Sequence, residues 1–104
     1  MTEKEALKKF YECTAADDLE GALTALKFIS AETLNARDDD DYDMLIQATV
    51  DGDACAVEAL LRDNRCDVTH EENLCGMKAA DFARGCPAES RIRRAFDAAK
   101  EVEP

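Results

Sequence analysis

Apolar and small residues recur in this chain at intervals of 35 residues. Ala22, Val57 and Ile92 are spaced in this way. The same interval relates four further sets: Phe10, Leu45 and Ala80; Cys13, Ala48 and Ala83; Leu26, Leu61 and Phe96; and the polar turn positions Asp17, Gly52 and Pro87. A repeated unit cannot bury its apolar face alone, so neighbouring units stack and cover one another. The sequence therefore predicts a stack of three similar units.

Each unit carries the start and stop signals of two short helices. Thr2 and Glu5 have the spacing of a capping box at the start of the first helix. Gly52 can adopt the left-handed conformation that commonly ends a helix. Further residues that can cap helix starts precede the next apolar stripes: Asp18, Asp43 and Asp53. We therefore expect pairs of antiparallel helices joined by tight turns, with an exposed polar loop over residues 35–41 between the first two pairs.

The third unit differs from the others at its helix starts. Lys78 cannot accept an amide hydrogen bond, so we expect its first helix to fray at its start. Gly85 and Pro87 predict another tight turn. A final helix should carry Ile92 and Phe96 and continue toward Val102. Its exposed side is predicted to hold the basic residues Arg91, Arg93, Arg94 and Lys100, because a terminal unit needs a polar outer face.

The middle unit resembles the ankyrin repeat. Its residues 38–53 are similar to the family's D-x-x-G-x-T-P-L-H-x-A-x-x-x-G-x helix start, and residues 57–69 to its V-x-x-L-L and A-D-V-N segments. Residues 76–83 resemble the G-x-T-A-L-D-x-A form of terminal repeats, and residues 10–26 keep only part of the pattern. Asp41, Asp43-Met44 and Ile46 depart from the family's Gly, Thr-Pro and His, and the period is two residues longer than the usual one of about 33.

The resemblance implies an all-α, ankyrin-like solenoid of three helix-turn-helix hairpins. It would form one domain over residues 1–104, with units at about 3–35, 36–70 and 71–104. Another α-hairpin array, such as a tetratricopeptide or HEAT-like stack, is the competing fold.

Ankyrin-like stacks bind other proteins through their hairpin tips and inner helices, and the resemblance implies such a surface here. In the middle unit the family's variable contact positions fall on Arg37, Asp39, Asp40, Tyr42, Val50 and Asp51. In the third unit they fall on Glu72, Leu74, Cys75, Met77, Gly85 and Cys86. Function does not follow from fold alone, so this step is an analogy.

Charge limits the classes of partner. The chain has 13 Lys and Arg against 24 Asp and Glu, a net charge of −11. Binding to phosphate backbones depends on basic residues, so we expect neither nucleic acid nor an anionic membrane as a partner. No stretch approaches the roughly 20 apolar residues of a membrane span. The sequence predicts a cytoplasmic protein, monomeric rather than homo-oligomeric, whose protein partner has a basic surface.

Catalytic and metal-binding patterns are weak in this sequence. The five cysteines are an odd number without a secretory signal, which favours reduced thiols. The spacing of Cys66, His70, Cys75 and Cys86 lacks a zinc knuckle, so His70 is interpreted as an ordinary hairpin residue and Cys13 as a small buried hydrophobe. The acidic run at residues 38–43 lacks the glycine and glutamate of a calcium loop. We expect no enzyme, no cofactor and no metal.

Three interpretations of the function follow, and the sequence favours the first. The first is a small acidic adaptor or inhibitor that binds a protein partner through hairpin tips and inner helices. The alternative is a structural or assembly subunit that acts by self-association within a larger complex. A thiol redox or metal protein is a third interpretation, which metal analysis and thiol alkylation would detect.

Overall fold

Seven α-helices form in the part of the chain that the structure describes. The structure is a computed structural model that covers residues 1–102, with side chains described through residue 99. The helices are α1 (Glu3–Ala15), α2 (Leu19–Leu26), α3 (Ala31–Leu34), α4 (Met44–Asp51), α5 (Ala54–Asp63), α6 (Ala79–Ala83) and α7 (Arg91–Val102). Residues 1–102 contain no strand. The prediction of an all-α fold is therefore confirmed, and the short α3 is an addition to it.

The helix starts follow the capping signals of the sequence. Thr2 Oγ1 accepts the Glu5 N–H at 3.2 Å, and the Glu5 carboxylate accepts the Thr2 N–H, which completes a capping box. An aspartate carboxylate caps each of three further helices by accepting the N–H three residues on, in the pairs Asp18 with Gly21, Asp43 with Ile46 and Asp53 with Ala56. These caps satisfy amides that have no partner within the helix.

The first two interhelix turns share one hydrogen-bond pattern, displaced by the repeat period. In the first turn the Asp18 N–H donates to the Cys13 carbonyl at 2.8 Å. In the second the Asp53 N–H donates to the Ala48 carbonyl at 3.0 Å. The 35-residue interval therefore relates equivalent backbone positions in the first two units.

Two glycines stand at helix ends where a side chain would be unfavourable, one because of its backbone conformation and one because of its neighbours. Gly52 ends α4 with a φ of 74°, a left-handed conformation that glycine adopts without strain, whereas Asp17 takes φ 57° at the equivalent place. Gly21 lies in the first turn of α2, where an added Cβ would clash with the Asp18 carboxylate that caps this helix and would come within 2.7 Å of Cys13 Sγ on α1. A larger residue there would displace these two side chains.

The third turn is longer than predicted. Residues 84–90 separate α6 from α7, whereas residues 52–53 separate α4 from α5. Pro87 stands where Gly52 stands in the middle unit, and proline has no N–H to donate back to the preceding helix. The last helix instead begins later, where Ser90 Oγ accepts the Arg93 N–H at 3.2 Å. A turn does form at Pro87, where the Ser90 N–H donates to the Pro87 carbonyl at 3.0 Å, but the connection as a whole is longer than the predicted tight turn.

The start of α6 also departs from the other helices. Lys78 supplies no side-chain acceptor, but the Asp81 carboxylate accepts the Lys78 N–H at 2.9 Å. One of the free amides is thereby satisfied from inside the helix. The fraying expected at this start stays a prediction.

Contacts between helices run both within and between the pairs. Within the pairs, α1 packs on α2, α4 on α5 and α6 on α7. Between the pairs, α5 lies against both α2 and α7, α4 lies against α6, and α1 also contacts α5. One continuous apolar core results, and its largest members are Phe10, Leu26, Ile29, Leu34, Leu45, Ile46, Val57 and Leu60. Helix α5 is in the centre of this packing.

Most repeated apolar positions are buried as predicted. The set of Ala22, Val57 and Ile92 is buried, and so is the set of Cys13, Ala48 and Ala83. Leu45 and Leu60 are also buried. Leu61 is an exception that corrects the prediction, because it is only half-buried whereas Leu26 at the equivalent position is fully covered. Leu61 borders an open groove between α5 and α7, so part of its surface stays in contact with water.

The final helix extends to Val102, as predicted, but it is less uniformly basic on its surface than expected. The Arg91 guanidinium pairs with Asp17 at 2.9 Å and with Glu58, so its charge is used inside the chain. Arg93 is half-buried and donates to the Cys86 carbonyl at 3.2 Å, whereas Arg94 is exposed. The side chain of Lys100 lies outside the described residues.

Candidate protein-binding surface

Two loops, one before α4 and one before α6, carry most of the predicted partner-binding residues. We call residues 37–42, before α4, the first finger, and residues 71–77, before α6, the second finger. Each contains a carboxylate that accepts hydrogen bonds from the loop's own backbone. These hydrogen bonds occupy one carboxylate in each loop, and the other exposed side chains remain available to a partner.

The first finger is closed by Asp38. Its Oδ1 accepts the N–H groups of Asp40 at 2.9 Å and Tyr42 at 3.0 Å, and its own N–H donates to the Tyr42 carbonyl at 3.0 Å. Asp41 completes the turn with φ 63°. These bonds leave the side chains of Asp39 and Asp40 exposed at the tip. The predicted exposed polar loop is confirmed, with two carboxylates directed to solvent.

Tyr42 is half-buried at the base of the first finger. Its ring meets the edge of the Phe82 ring, with the ring centroids 5.8 Å apart and the planes at 71°. Partial burial raises the pKa of Tyr42, and the nearby carboxylates of Glu72 and Asp40 add to this effect. The side chain therefore joins the first finger to α6, and only part of its surface is open to a partner.

The second finger is closed by Glu72, which corrects its assignment as a contact residue. Glu72 is 2% exposed, and its carboxylate accepts the N–H groups of Leu74 at 2.8 Å, Cys75 at 2.9 Å and Met77 at 3.0 Å. A carboxylate occupied in this way by the backbone cannot contact a partner. Leu74, by contrast, is 88% exposed at the tip, beside the exposed Cys75.

We expect the ionised Glu72 carboxylate to stabilise the second finger near neutral pH and to lose this effect when acid protonates it. The backbone N–H groups, that of Met77 foremost, hold the pKa of Glu72 below its ordinary value of 4.5. Since the folded pKa lies below the unfolded one, the stabilisation is present above about pH 4.5 and is lost as the pH falls through the folded value. Urea unfolding of wild type and Glu72→Gln across this range measures the difference.

The free energy of unfolding should differ most between these two proteins near neutral pH, and the gap should narrow as the pH falls. The comparison removes the contribution of other carboxylates, such as Glu3, whose pKa is lowered mainly by the Thr33 hydroxyl. A gap of constant size from about pH 7 to about pH 3 would show that the ionised Glu72 does not hold the loop.

His70, which directly precedes the second finger, contacts the first finger at Asp41, and the sequence did not reveal this role. It is buried, and its Nε2 lies 2.8 Å from the Asp41 carbonyl oxygen and 3.6 Å from Asp41 Oδ2. Asp43, the α4 cap, is also buried, and its burial raises its pKa against the opposing effect of the Ile46 N–H. The structure adds to the interpretation of His70 as a hairpin residue, because the ring is buried and contacts the base of the first finger at Asp41.

The remaining predicted contact residues differ in exposure. Arg37 is exposed and lies 3.8 Å from Asp41. On α4, Val50 is 45% exposed and Asp51 is exposed, with its Oδ1 accepting from Gln47 Nε2 at 2.9 Å. Met77 and Cys86 are half-buried, and Gly85 is exposed in the α6–α7 turn. Exposure therefore permits contact at most of these positions, although partner binding at them stays a prediction.

An exposed tyrosine on α1 extends this surface. Tyr11 is 51% exposed and borders a cleft of about 100 Å³ between α1 and α4, together with Gln47 and Asp51. Partial burial raises the pKa of Tyr11, and the Asp51 carboxylate adds to it. The first unit lacks the complete repeat motif, so the resemblance assigned no contact there. The aromatic residue one position after the repeated Phe10 was the available signal.

The cysteines and the acidic residues were the groups considered for thiol or metal chemistry. All five cysteines are free thiols, and burial raises the pKa of Cys66 to about 12, which disfavours its reactive thiolate. Among the described residues, no three His, Cys, Asp or Glu side chains gather where they could hold a metal ion. The fingers thus present exposed carboxylates and one exposed leucine on backbones fixed by internal hydrogen bonds.

Within residues 1–102, no helix combines the length and the apolar character that a membrane span requires. No protein-family model matches the chain, and neither a curated protein nor a solved structure matches it.

Proposed function

We propose that the chain is an ankyrin-like protein-binding module, a small acidic intracellular adaptor or inhibitor. In this arrangement α1, α4 and α6 form the inner row and α2, α5 and α7 the outer row. The contacts of α5 with both α2 and α7, and of α4 with α6, support such a stack. The shared turn geometry of the first two units supports it further. The partner would bind across the fingers and the exposed part of the inner row.

The observation that carries this proposal is the internal closure of both fingers. Asp38 and Glu72 use their carboxylates on the loop backbone, so the tips are already ordered before any partner arrives. Preorganised loops lose less conformational entropy on binding than flexible ones. The side chains left over, Asp39, Asp40 and Leu74, are exposed and have no described structural task.

The proposed partner has a basic surface that includes an apolar site. Asp39, Asp40 and Asp51 are exposed on one binding surface, in a protein of net charge −11. Such a field speeds encounter with a cationic partner and slows encounter with an anionic one. Leu74 would supply apolar contact at the second tip.

Affinity capture with a matched charge control tests the proposal. Wild type, Asp39→Asn/Asp40→Asn and Glu20→Gln/Glu89→Gln are used as baits, and the captured proteins are quantified by mass spectrometry. Both double variants remove two exposed carboxylates, but only the first removes them from a finger. We expect the specific partner to be depleted on the finger variant and retained on the control. Equal capture on all three baits would contradict the proposed surface.

Binding kinetics with the captured partner should separate steering from anchoring. Asp39→Asn/Asp40→Asn is expected to slow association several-fold and to flatten its dependence on salt, since exposed charges act mainly on the encounter rate. Tyr42→Ala should mainly speed dissociation, because a lost anchoring ring shortens the lifetime of the complex. Surface plasmon resonance at two salt concentrations measures both rates.

Tyr42→Phe is the control for the second effect. It keeps the ring and its contact with Phe82 and removes only the hydroxyl, so the complex should dissociate as slowly as that of wild type if the ring is the anchor. If both association and dissociation rates are unchanged in the Asp39/Asp40 and Tyr42→Ala variants, the first finger is only a solvated loop.

A further inference from the structure

An open groove lies between α5 and α7, away from the fingers. Its volume is about 870 Å³, and no residue of either finger lines it. Leu61, Val68, Ala95, Ala98 and Ala99 form its apolar floor. Val68 is 40% exposed and Leu61 half-buried, so this floor is in contact with water in the chain as described. We call this feature the α5–α7 groove.

The rim of the groove is basic although the protein as a whole is acidic. Arg62 on α5 and Arg94 on α7 are exposed and both border it. Neither forms an ion pair with another side chain through residue 99. Arg91 and Glu58 also line the groove, but they pair with one another. Two cationic groups thus remain available beside an apolar floor.

We propose that the α5–α7 groove binds an amphipathic α-helix of a partner protein, one that carries carboxylates beside its apolar face. This is a second interface, separate from the fingers. The charge of the rim selects the sign of the partner, since Arg62 and Arg94 can form charge-assisted hydrogen bonds to carboxylates. The finger surface carries exposed aspartates, so it favours a partner surface of positive charge.

The groove has room for one face of a helix. It is lined by α5, α7 and the loop that follows α5, and it is partly open to solvent. An amphipathic helix can lay apolar side chains at positions i, i+3, i+4 and i+7 into such a groove. The groove-lining residues of α7 are small, which allows the backbone of the bound helix to approach α7 closely. They are Ala95, Ala98 and Ala99. Carboxylates at the edges of its apolar face would then meet Arg62 and Arg94.

A pair of designed peptides tests this inference on the full chain. Each is a fluorescently labelled helix of about 18 residues, long enough to be helical, with leucines at helical spacing on one face. One peptide places glutamates beside the leucines, and the other places lysines there. Fluorescence anisotropy at about 0.15 M salt measures binding, and backbone NMR shifts locate it. The proteins are wild type, Arg62→Glu/Arg94→Glu and a control, Lys27→Glu/Arg84→Glu.

The control reverses the same number of exposed cationic side chains outside the groove. We expect saturable binding of the glutamate peptide to wild type and to the control, with shifts centred on Leu61, Val68 and Ala98. Affinity should fall about tenfold or more in Arg62→Glu/Arg94→Glu, which should instead favour the lysine peptide. Circular dichroism checks folding, and Arg62→Gln/Arg94→Gln replaces the reversal if it unfolds the chain.

Several results would overturn the inference. They are the absence of saturable binding by the glutamate peptide, equal binding of both peptides to wild type, undiminished binding in the groove variant, and NMR shifts confined to the fingers. Because the fingers lie outside the groove, failure here leaves the capture experiment on Asp39 and Asp40 unaffected.

Discussion

Replacing Leu60 with alanine is expected to lower the free energy of unfolding by about 2–5 kcal/mol. Leu60 is fully buried in α5, the helix that contacts α1, α2, α4 and α7. The truncation removes apolar contacts and leaves a cavity that its neighbours fill only partly. Single domains are stable by only about 5–15 kcal/mol, so this one change takes a large share. Urea unfolding monitored by circular dichroism measures it.

Leu61→Ala is the matched control, because it deletes the same atoms one residue away. Leu61 is half-buried at the groove, so its loss should cost clearly less, about 1 kcal/mol. Equal destabilisation by the two substitutions would mean that the groove is closed, and would contradict the packing described for α5 and α7.

Arg65→Ala is expected to lower the free energy of unfolding by about 2–3 kcal/mol. The Arg65 guanidinium donates to the carbonyls of Leu26 and Ile29, each at 2.7 Å, and to the Asp63 carboxylate at 2.6 Å. It therefore ties the end of the middle unit to the end of the first. The substitution leaves the Leu26 carbonyl at the end of α2, and the Ile29 carbonyl in the segment after it, without their charged donor. The same urea titration measures this effect.

Arg65→Lys tests the geometry of this link. A lysine keeps the charge but cannot reach both carbonyls and the carboxylate with a planar fork, so it should recover only part of the loss. Arg62→Ala, at an exposed arginine on α5, should have little effect on unfolding. If Arg65→Ala were as mild as Arg62→Ala, the link between the units would contribute nothing to stability.

Local signals were sufficient to predict the helix pairs. The caps at Thr2, Asp18, Asp43 and Asp53 act within three residues, so the sequence contains both partners of each hydrogen bond. The left-handed conformation of Gly52 was likewise predictable, because glycine adopts it without strain. The length of the third turn was not predicted correctly. Pro87 lacks the N–H that Gly52 has at the equivalent position, so the short turn of the middle unit is not repeated.

Links between distant residues could not be read from the sequence. His70 meets Asp41, and Arg65 meets Leu26, only after the units have packed. Glu72 was assigned to a partner because a resemblance transfers positions, whereas the burial of a side chain depends on the path of the loop. The prediction that Leu61 is buried was wrong for a related reason, since the burial of this side chain depends on how closely α7 approaches α5.

The candidate site was predictable where charge alone decides exposure. Asp39 and Asp40 are exposed because no core can hold unpaired carboxylates. Tyr42 required knowledge of Phe82, which lies 40 positions further along the chain. Tyr11 was missed because the first unit carries only fragments of the repeat pattern.

Amide hydrogen exchange of the chain, free and in complex with its captured partner, tests the binding surface most directly. We expect the partner to slow exchange in residues 37–42 and 71–77 and along α4, while exchange in the exposed α1–α2 turn at residues 16–18 stays unchanged. Protection that leaves both fingers as open to exchange as in the free protein would contradict the proposal that they form the binding surface.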